Sequence, residues 1–295
     1  MRPSHNRALS RMTEGIALGD CLACAQVTEQ KFLYSLNGCS ILRCRTCRLG
    51  QTQTRDFDAA SYYTDKYFSG QQSDGYADYL AAEPVLRREF ARTVAFIRRW
   101  CNGGRLLEIG CAYGFFLHEA KEYFDVSGIE LAADAAIYCQ RSGLSVLPGV
   151  VDETTLLQDE KVDVIVLLDV IEHLPDPRGT LALLSRHLGP GGIIVLTTGD
   201  FGSMAAQLSG RYWRLMTPPQ HLWFFGRESI TRLAKSLGLR VEHVDHPWKI
   251  VPLSLIVFQL RRMLHLSLSQ SPAAGVGIPF NLFDAMRVVL RKPLS

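Results

Sequence analysis

Leu106-Leu107-Glu108-Ile109-Gly110-Cys111-Ala112-Tyr113-Gly114 joins a short apolar run to a turn of small residues. The helical pattern Phe115–Phe124 follows at once, so the segment reads as strand, tight turn, helix. Small residues at 110, 112 and 114 let the backbone pass close to a ligand, and the helix aims its N-terminus at the same place. A second apolar run, Val126–Ile129, ends at Glu130, twenty residues after Gly110. A carboxylate at a strand tip can accept hydrogen bonds from both hydroxyls of a ribose, which predicts a nucleoside-bearing ligand there. A dinucleotide fingerprint, G-x-G-x-x-G, is not met, because Ala112 and Phe115 replace its second and third glycines. The acidic Glu108 before the turn suits a cationic ligand better than a pyrophosphate.

The same alternation extends on both sides. A helix is predicted from about Asp78 to Trp100, broken by Asn102-Gly103-Gly104. After the Glu108 strand (Arg105–Ile109) come helix Ala132–Arg141, strand Leu144–Leu147, the apolar strand Val162–Leu168 and helix Arg178–Leu188. Gly189-Pro190-Gly191-Gly192 closes that helix ahead of strand Ile193–Thr197. Helix Glu228–Leu237, strand Leu239–His246 and strand Ala285–Leu290 complete the series, with 250–280 as an insertion. Strands alternating with helices make a parallel sheet covered on both faces.

Ahead of this lie Cys21, Cys24, Cys44 and Cys47, spaced C-x2-C, nineteen residues, C-x2-C. That is the spacing of a structural zinc ribbon, whose four thiolates leave no open position for chemistry. Cys39, Cys101, Cys111 and Cys139 read as free thiols, and free thiols with a thiolate metal site suit the cytoplasm. The resulting division is a disordered leader at 1–20, a ribbon at 21–60, a helical connector and lid at 61–101, and an α/β domain at 102–295. In 295 residues the net charge of +3 is too small for bulk nucleic-acid binding, although residues 1–55 hold eight Lys/Arg against three Asp/Glu. The longest apolar stretch, Ile250–Leu260, is about half a membrane span; residues 250–268 could form an amphipathic helix.

The pattern E-x-G-x-x-x-G at Glu108–Gly114, Glu130 ending the second strand, Asp169-Val170-Ile171-Glu172-His173-Leu174 after the fourth, and the Gly-Pro-Gly-Gly lead into the fifth together resemble the class I S-adenosylmethionine-dependent methyltransferases over roughly 78–246. The resemblance implies a doubly wound, mostly parallel seven-stranded Rossmann-like sheet with the zinc ribbon as an N-terminal module. It implies S-adenosylmethionine as cofactor, held by Glu108, Gly110, Cys111, Ala112, Tyr113 and Gly114. Glu130 would hold the ribose, Val151 and Asp152 would flank the adenine, and Asp169 would border the methionine. Methyl transfer to a hydroxyl needs a group to take its proton. His221, in the aromatic segment Arg211–Phe225 that could wall the acceptor pocket, is the first candidate and His173 the second. The expected acceptor is a small molecule (sugar-derived, lipid-linked or a secondary-metabolite intermediate), methylated on oxygen. The rival readings are an RNA or protein methyltransferase gripping its substrate with the ribbon, and a ribbon-bearing binding module without catalysis.

Overall fold

The computed structural model describes residues 16–54, 62, 68, 78–156, 161–257 and 275–294. The larger sheet has seven strands: β5 (Arg105–Ile109), β6 (Asp125–Glu130), β7 (Ser145–Pro148), β8 (Val162–Leu168), β9 (Leu188–Gly199), β11 (Arg240–Asp245) and β14 (Ala285–Arg291). Their order is β11-β14-β9-β8-β5-β6-β7. β5 pairs in parallel with both β6 and β8, whereas β14 runs antiparallel to β9 and β11. The winding therefore reverses between β5 and β8, where open α/β sheets bind their ligands. Val164, Ile165, Val166 and Leu167 are all buried, as a central strand covered on both faces requires.

Helices α2 (Phe115–Ala120), α3 (Ala133–Arg141), α4 (Pro177–His187) and α6 (Arg227–Ser236) form the crossovers and covering layers, and α5 (Met204–Ser209) follows β9. The N-terminal helix α1 spans Glu83–Ile97 rather than 78–100. Pro84 sits in its first turn, where the missing N–H costs nothing. Asp78 caps the preceding turn by accepting from the Ala81 N–H at 2.9 Å. Strand β9 begins at Leu188 and so takes in the Gly-Pro-Gly-Gly stretch read as a turn. That stretch is held by the last strand: the Gly191 N–H donates to the Lys292 carbonyl at 3.1 Å, and Lys292 Nζ donates to the Leu188 carbonyl at 2.8 Å.

The cysteine-rich segment is a five-stranded antiparallel sheet. It contains β1 (Ile16–Cys21), β2 (Gln26–Leu36), β3 (Cys39–Cys44), β4 (Gly50–Gln53) and β10 (Trp223–Phe224), in that spatial order. Ile16–Asp20, assigned above to a disordered leader, are instead the first strand, paired with Thr28–Lys31 and Val27 of β2; residues 1–15 lie outside the described residues. Asn37 and Gly38, with φ of 51° and 74°, make the two-residue turn between β2 and β3. The fifth strand comes from beyond β9, so the ribbon is built into the α/β domain. Cys21, Cys44, Cys47 and Leu49 share one apolar core with Leu181 and Leu184 of α4 and Ile230 and Leu233 of α6.

The expected amphipathic helix at 250–268 is corrected at its start. Lys249–Pro252 form β12, paired antiparallel with β13 (Gly277–Phe280). β12 lies on α1, where Glu89 accepts from the Ile250 N–H at 2.7 Å. Residues 253–257 are helical, as expected; 258–268, and the connector at 61–77 apart from Tyr62 and Phe68, fall outside the described residues. Among the described residues no helix is long and apolar enough to cross a membrane.

Candidate active site

The turn after β5 is drawn tight by a hydrogen bond from the Gly114 N–H to the Cys111 carbonyl, 2.8 Å. Gly110, Ala112 and Gly114 have φ of 71°, 46° and 75°, and Asp169 at the tip of β8 has 56°. Four left-handed residues thus crowd the two strand tips. Glycine at 110 and 114 answers to packing as well: a Cβ would come within 2.7 Å of Val170 Cγ2 and 2.5 Å of Leu144 Cδ1 respectively. The small residues therefore satisfy what lies behind the turn, a reason the ligand-space argument left out. Within the turn after β5, Ala112 alone carries a Cβ into this conformation, at a cost of ~1–2 kcal/mol. Ala112→Gly is expected to stabilise the fold by about 0.5–1 kcal/mol, the relief of strain exceeding the added unfolded-state entropy. Urea denaturation of the two proteins measures this.

Glu130 ties the turn to β6. One carboxylate oxygen accepts from the Ala112 N–H and the other from the Ala132 N–H, each at 2.7 Å. Each oxygen keeps a second lone pair for a ligand hydroxyl. Burial pushes the Glu130 carboxyl above its ordinary range, with the backbone N–H groups working against that. Glu108 is fully enclosed within β5, and its Oε2 has no hydrogen-bond partner among the described residues. Burial, with Cys139 and Glu130 adding to it, pushes its carboxyl well above the carboxylate range. That enclosure works against the negative charge which the sequence alone assigns to Glu108. The residue contributes a buried polar atom.

The side chain of Cys111 turns back among Phe116, Leu117 and Cys139, and that of Tyr113 packs with Phe68, Tyr79 and Phe115. What these two residues offer the cleft is their backbone. Asp152 spends Oδ1 on the N–H groups of Thr154 (2.8 Å) and Thr155 (2.9 Å), shaping the loop after β7, and Val151 leans on the core. Asp169 accepts from Thr197 Oγ1 at 2.7 Å and from Lys249 Nζ of β12 at 2.8 Å. Burial would raise its carboxyl, but Lys249 and Thr197 hold it below the ordinary range.

Beside Asp169, the short 3₁₀ turn Ile171–His173 meets the segment leading into β10. Glu172, His173 and His221 bring one donor atom each to within 4.8 Å of one another, and the two imidazole centroids are 4.7 Å apart. His173 Nδ1 lies 2.9 Å from the Gln220 carbonyl. A carbonyl only accepts, so Nδ1 carries the proton and Nε2 the lone pair. Burial lowers the basicity of both histidines, and His173 lowers that of His221 further, well below the ordinary range. Burial, with the Asp169 charge adding to it, raises Glu172 to about 8. Glu172 Oε2, Gln220 Oε1 and Thr217 Oγ1 are buried without hydrogen-bond partners among the described residues. Glu172 escaped the sequence reading. Its place beside His173 in the Asp169–Leu174 motif was the available signal, but only the fold shows that it is buried.

The aromatic residues of Arg211–Phe225 are a further correction. Trp213 and Phe224 pack with Ile41 and Met216, and Phe225 is buried in the main core, so these three rings fill core, whereas Tyr212 is exposed and Trp223 half-buried. Arg214 pairs with both carboxylate oxygens of Asp284, 2.9 and 2.8 Å, and Trp213 Nε1 donates to the same group. The segment presents His221, Gln220 and Thr217 to the site.

The four ribbon cysteines converge. Cys21 and Cys47 sulfurs are 3.5 Å apart, Cys24 and Cys44 sulfurs 4.0 Å, and all four lie within 4.8 Å of one another. Sulfurs around a tetrahedral zinc with bonds of ~2.3 Å lie about 3.8 Å apart. Ala25 and Arg48, each following the second cysteine of a pair, have matching φ of 57° and 62°. The donor set and its two equivalent turns fit zinc.

Three comparisons bear on this site. A ubiquinone biosynthesis O-methyltransferase of Methylococcus capsulatus is 29% identical over 132 residues, 42% of this chain and 54% of its own length. The enzyme of that name from Klebsiella pneumoniae strain 342 is 27% identical over 171 residues, 51% of this chain and 71% of its own. The chain thus spans about half the length of the first relative. A solved Bacillus halodurans structure assigned to the methyltransferases superposes with a TM-score of 0.51 at 15% identity, covering 69% of this chain and 98% of its own, a likeness of fold. The family model described as a methyltransferase domain matches residues 81–244, more than half of the chain. The switch-point turn, the strand-tip glutamate and that match together make this chain a member of the methyltransferase-domain family, within the class I S-adenosylmethionine-dependent methyltransferases.

Proposed function

We propose that this protein methylates an oxygen of a small-molecule acceptor, a sugar-derived, lipid-linked or secondary-metabolite intermediate, at the β5–β8 switch point. The carrying observation is that the Glu130 carboxylate, which ties the turn after β5 to β6, and the paired imidazoles of His173 and His221 lie at the tips of the same sheet. S-adenosylmethionine supplies an electrophilic methyl group when bound. The Asp169 carboxylate suits a cationic ligand, and the orphaned Oε2 of Glu108 offers a polar atom to a donor. Glu130 would hold the ribose hydroxyls, Val151 and Asp152 the adenine edge. The backbone of Gly110, Cys111, Ala112, Tyr113 and Gly114, with Asp169, would hold the methionine portion. His221 takes the hydroxyl proton, with His173 as second candidate, both being neutral at neutral pH. The names of the relatives, O-methyltransferases, support oxygen as the acceptor atom. Cys21, Cys24, Cys44 and Cys47 would hold a structural zinc.

Calorimetry with S-adenosylmethionine and S-adenosylhomocysteine tests the cofactor site. Glu130→Ala is expected to weaken both by tenfold or more, and an unchanged affinity removes the ribose assignment. A screen for S-adenosylhomocysteine release across phenols, sugars and lipid-linked hydroxyls tests the acceptor. A second reading rests on the 4.8 Å cluster of Glu172, His173 and His221, which also suits one divalent cation. Activity restored by magnesium after chelation, with ribbon zinc intact, would favour it.

A further inference from the structure

We infer that Thr52, on the last strand of the ribbon, is a positioning residue for His221, and that the ribbon is the wall holding the acceptor side of the site. Thr52 is buried and clamps two consecutive carbonyls. Its Oγ1 donates to the His221 carbonyl at 2.6 Å, and its N–H donates to the Leu222 carbonyl at 2.8 Å. Just before it β4 and β10 are in register, Gln51 opposite Trp223 and Gly50 opposite Phe224. The contact is close: a Cβ on Gly50 would come within 2.8 Å of Phe224 Cβ and 2.9 Å of Phe201 Cε1. A second ribbon bond runs from Asn37 Nδ2 to the Pro218 carbonyl, 2.8 Å.

From the opposite side the same segment is held by the motif after β8. The Leu222 N–H donates to the Glu172 carbonyl at 2.9 Å, and His173 Nδ1 to the Gln220 carbonyl. Residues 217–222 hold one internal backbone bond, from the His221 N–H to the Thr217 carbonyl at 3.1 Å. A short non-repetitive segment of this kind takes its shape from what it is tied to. Here it is suspended between the ribbon and the Glu172–His173 turn. Cys47 lies three residues before Gly50, so the metal knuckle sets where β4 starts, and β4 sets where His221 sits. Among the hydrogen bonds of the described residues, the ribbon reaches Arg178, Pro218, His221, Leu222 and, through the β4–β10 pairing, Trp223–Phe224, and none of these joins it to the 110–114 turn or to Glu130. The coupling runs to the acceptor side and bypasses the cofactor side.

This inference rests on His221 acting in the reaction, so its test reads the side chain directly. Thr52→Val keeps the β-branched shape and the backbone bond and removes only the hydroxyl donor; Thr52→Ser restores it. The probe is the ring resonance of His221 in histidine-labelled, zinc-loaded protein, assigned by its loss in His221→Gln. Thr52→Val is expected to shift or broaden that resonance while those of His118 and His187 stay in place, and Thr52→Ser to return it. Affinity for S-adenosylhomocysteine should hold within twofold. With an acceptor, kcat should fall about tenfold in Thr52→Val and recover in Thr52→Ser, since an ångström of misplacement costs up to ~10²-fold. Asn37→Gly, which tolerates the left-handed φ of 51° and removes the other tie, gives a second reading if Thr52→Val fails to fold. A His221 resonance unmoved in either variant, or displaced equally in Thr52→Ser, overturns the inference. Failure of the wild-type protein to bind S-adenosylhomocysteine would instead sink the cofactor reading and leave the His221 measurement standing.

Discussion

His221→Gln is expected to lower kcat by about 10²–10⁴-fold, the range for loss of a positioned general base, while binding of S-adenosylhomocysteine stays within a few-fold of wild type. The separation follows from geometry. His221 hangs from the ribbon by Thr52, across the β8 tip from the Glu130 carboxylate that serves the cofactor side. Burial keeps His221 neutral through a folded-state pKa well below 6.5. A neutral imidazole is the competent base, so the acid limb of kcat/KM should fall below pH 6.5 and not at it. Stability has the matching sign: the unfolded chain protonates His173 and His221 as pH drops past 6.5 while the folded one does not, so stability falls there. Glu172 acts oppositely. Its carboxyl, raised to about 8, holds a proton in the fold that the unfolded chain has lost, so its contribution fades as pH rises from the ordinary carboxylate range through 8. A bell-shaped stability profile results, and Glu172→Gln should shrink the alkaline limb, the remainder coming from Glu108 and Glu130, which burial also raises. A kcat in His221→Gln within threefold of wild type would transfer the role to His173.

Cys44→Ser is expected to abolish stoichiometric zinc and to lower the thermal midpoint by roughly 10 °C or more, since a structural zinc binds with ~10–16 kcal/mol and each 1 kcal/mol moves a domain of this size by about 2–4 °C. The effect should reach past the ribbon. Cys44 lies in the same apolar core as Leu181 and Leu184 beneath the α/β sheet, and its backbone N–H closes the knuckle on Leu49 at 2.9 Å. Elemental analysis and calorimetric melting measure the two quantities, with Cys101→Ser as the control that should alter neither. Full zinc content in Cys44→Ser, or a midpoint within about 2 °C of wild type, would mean that the four cysteines do not close one site.

Where local pattern and tertiary environment agree, sequence and structure coincide. Arg105–Ile109 and Val162–Leu168 have the bounds read from their apolar runs, because a strand buried on both faces has little choice of residue type. Glu130 stands at the strand tip where its spacing from Gly110 put it. The Gly-Pro-Gly-Gly stretch diverges for a tertiary reason, since Lys292 and Gly191 stitch it to β14. The aromatic run 211–225 diverges because composition cannot tell a ring that lines a pocket from one that fills a core.

Local chemistry alone settled the alternation of strand and helix, the glycine-bearing bend, the downstream glutamate and the paired cysteine knuckles, since each depends on residues near one another along the chain. The fold decided the rest through contacts between distant residues. It raised the Glu108 carboxyl by enclosing it, brought Glu172 and His173 to His221 across nearly fifty positions, placed Lys249 on Asp169, and used Trp223–Phe224 to finish the ribbon sheet. Protonation and pairing depend on what surrounds a group, and no single stretch of this chain carries that information.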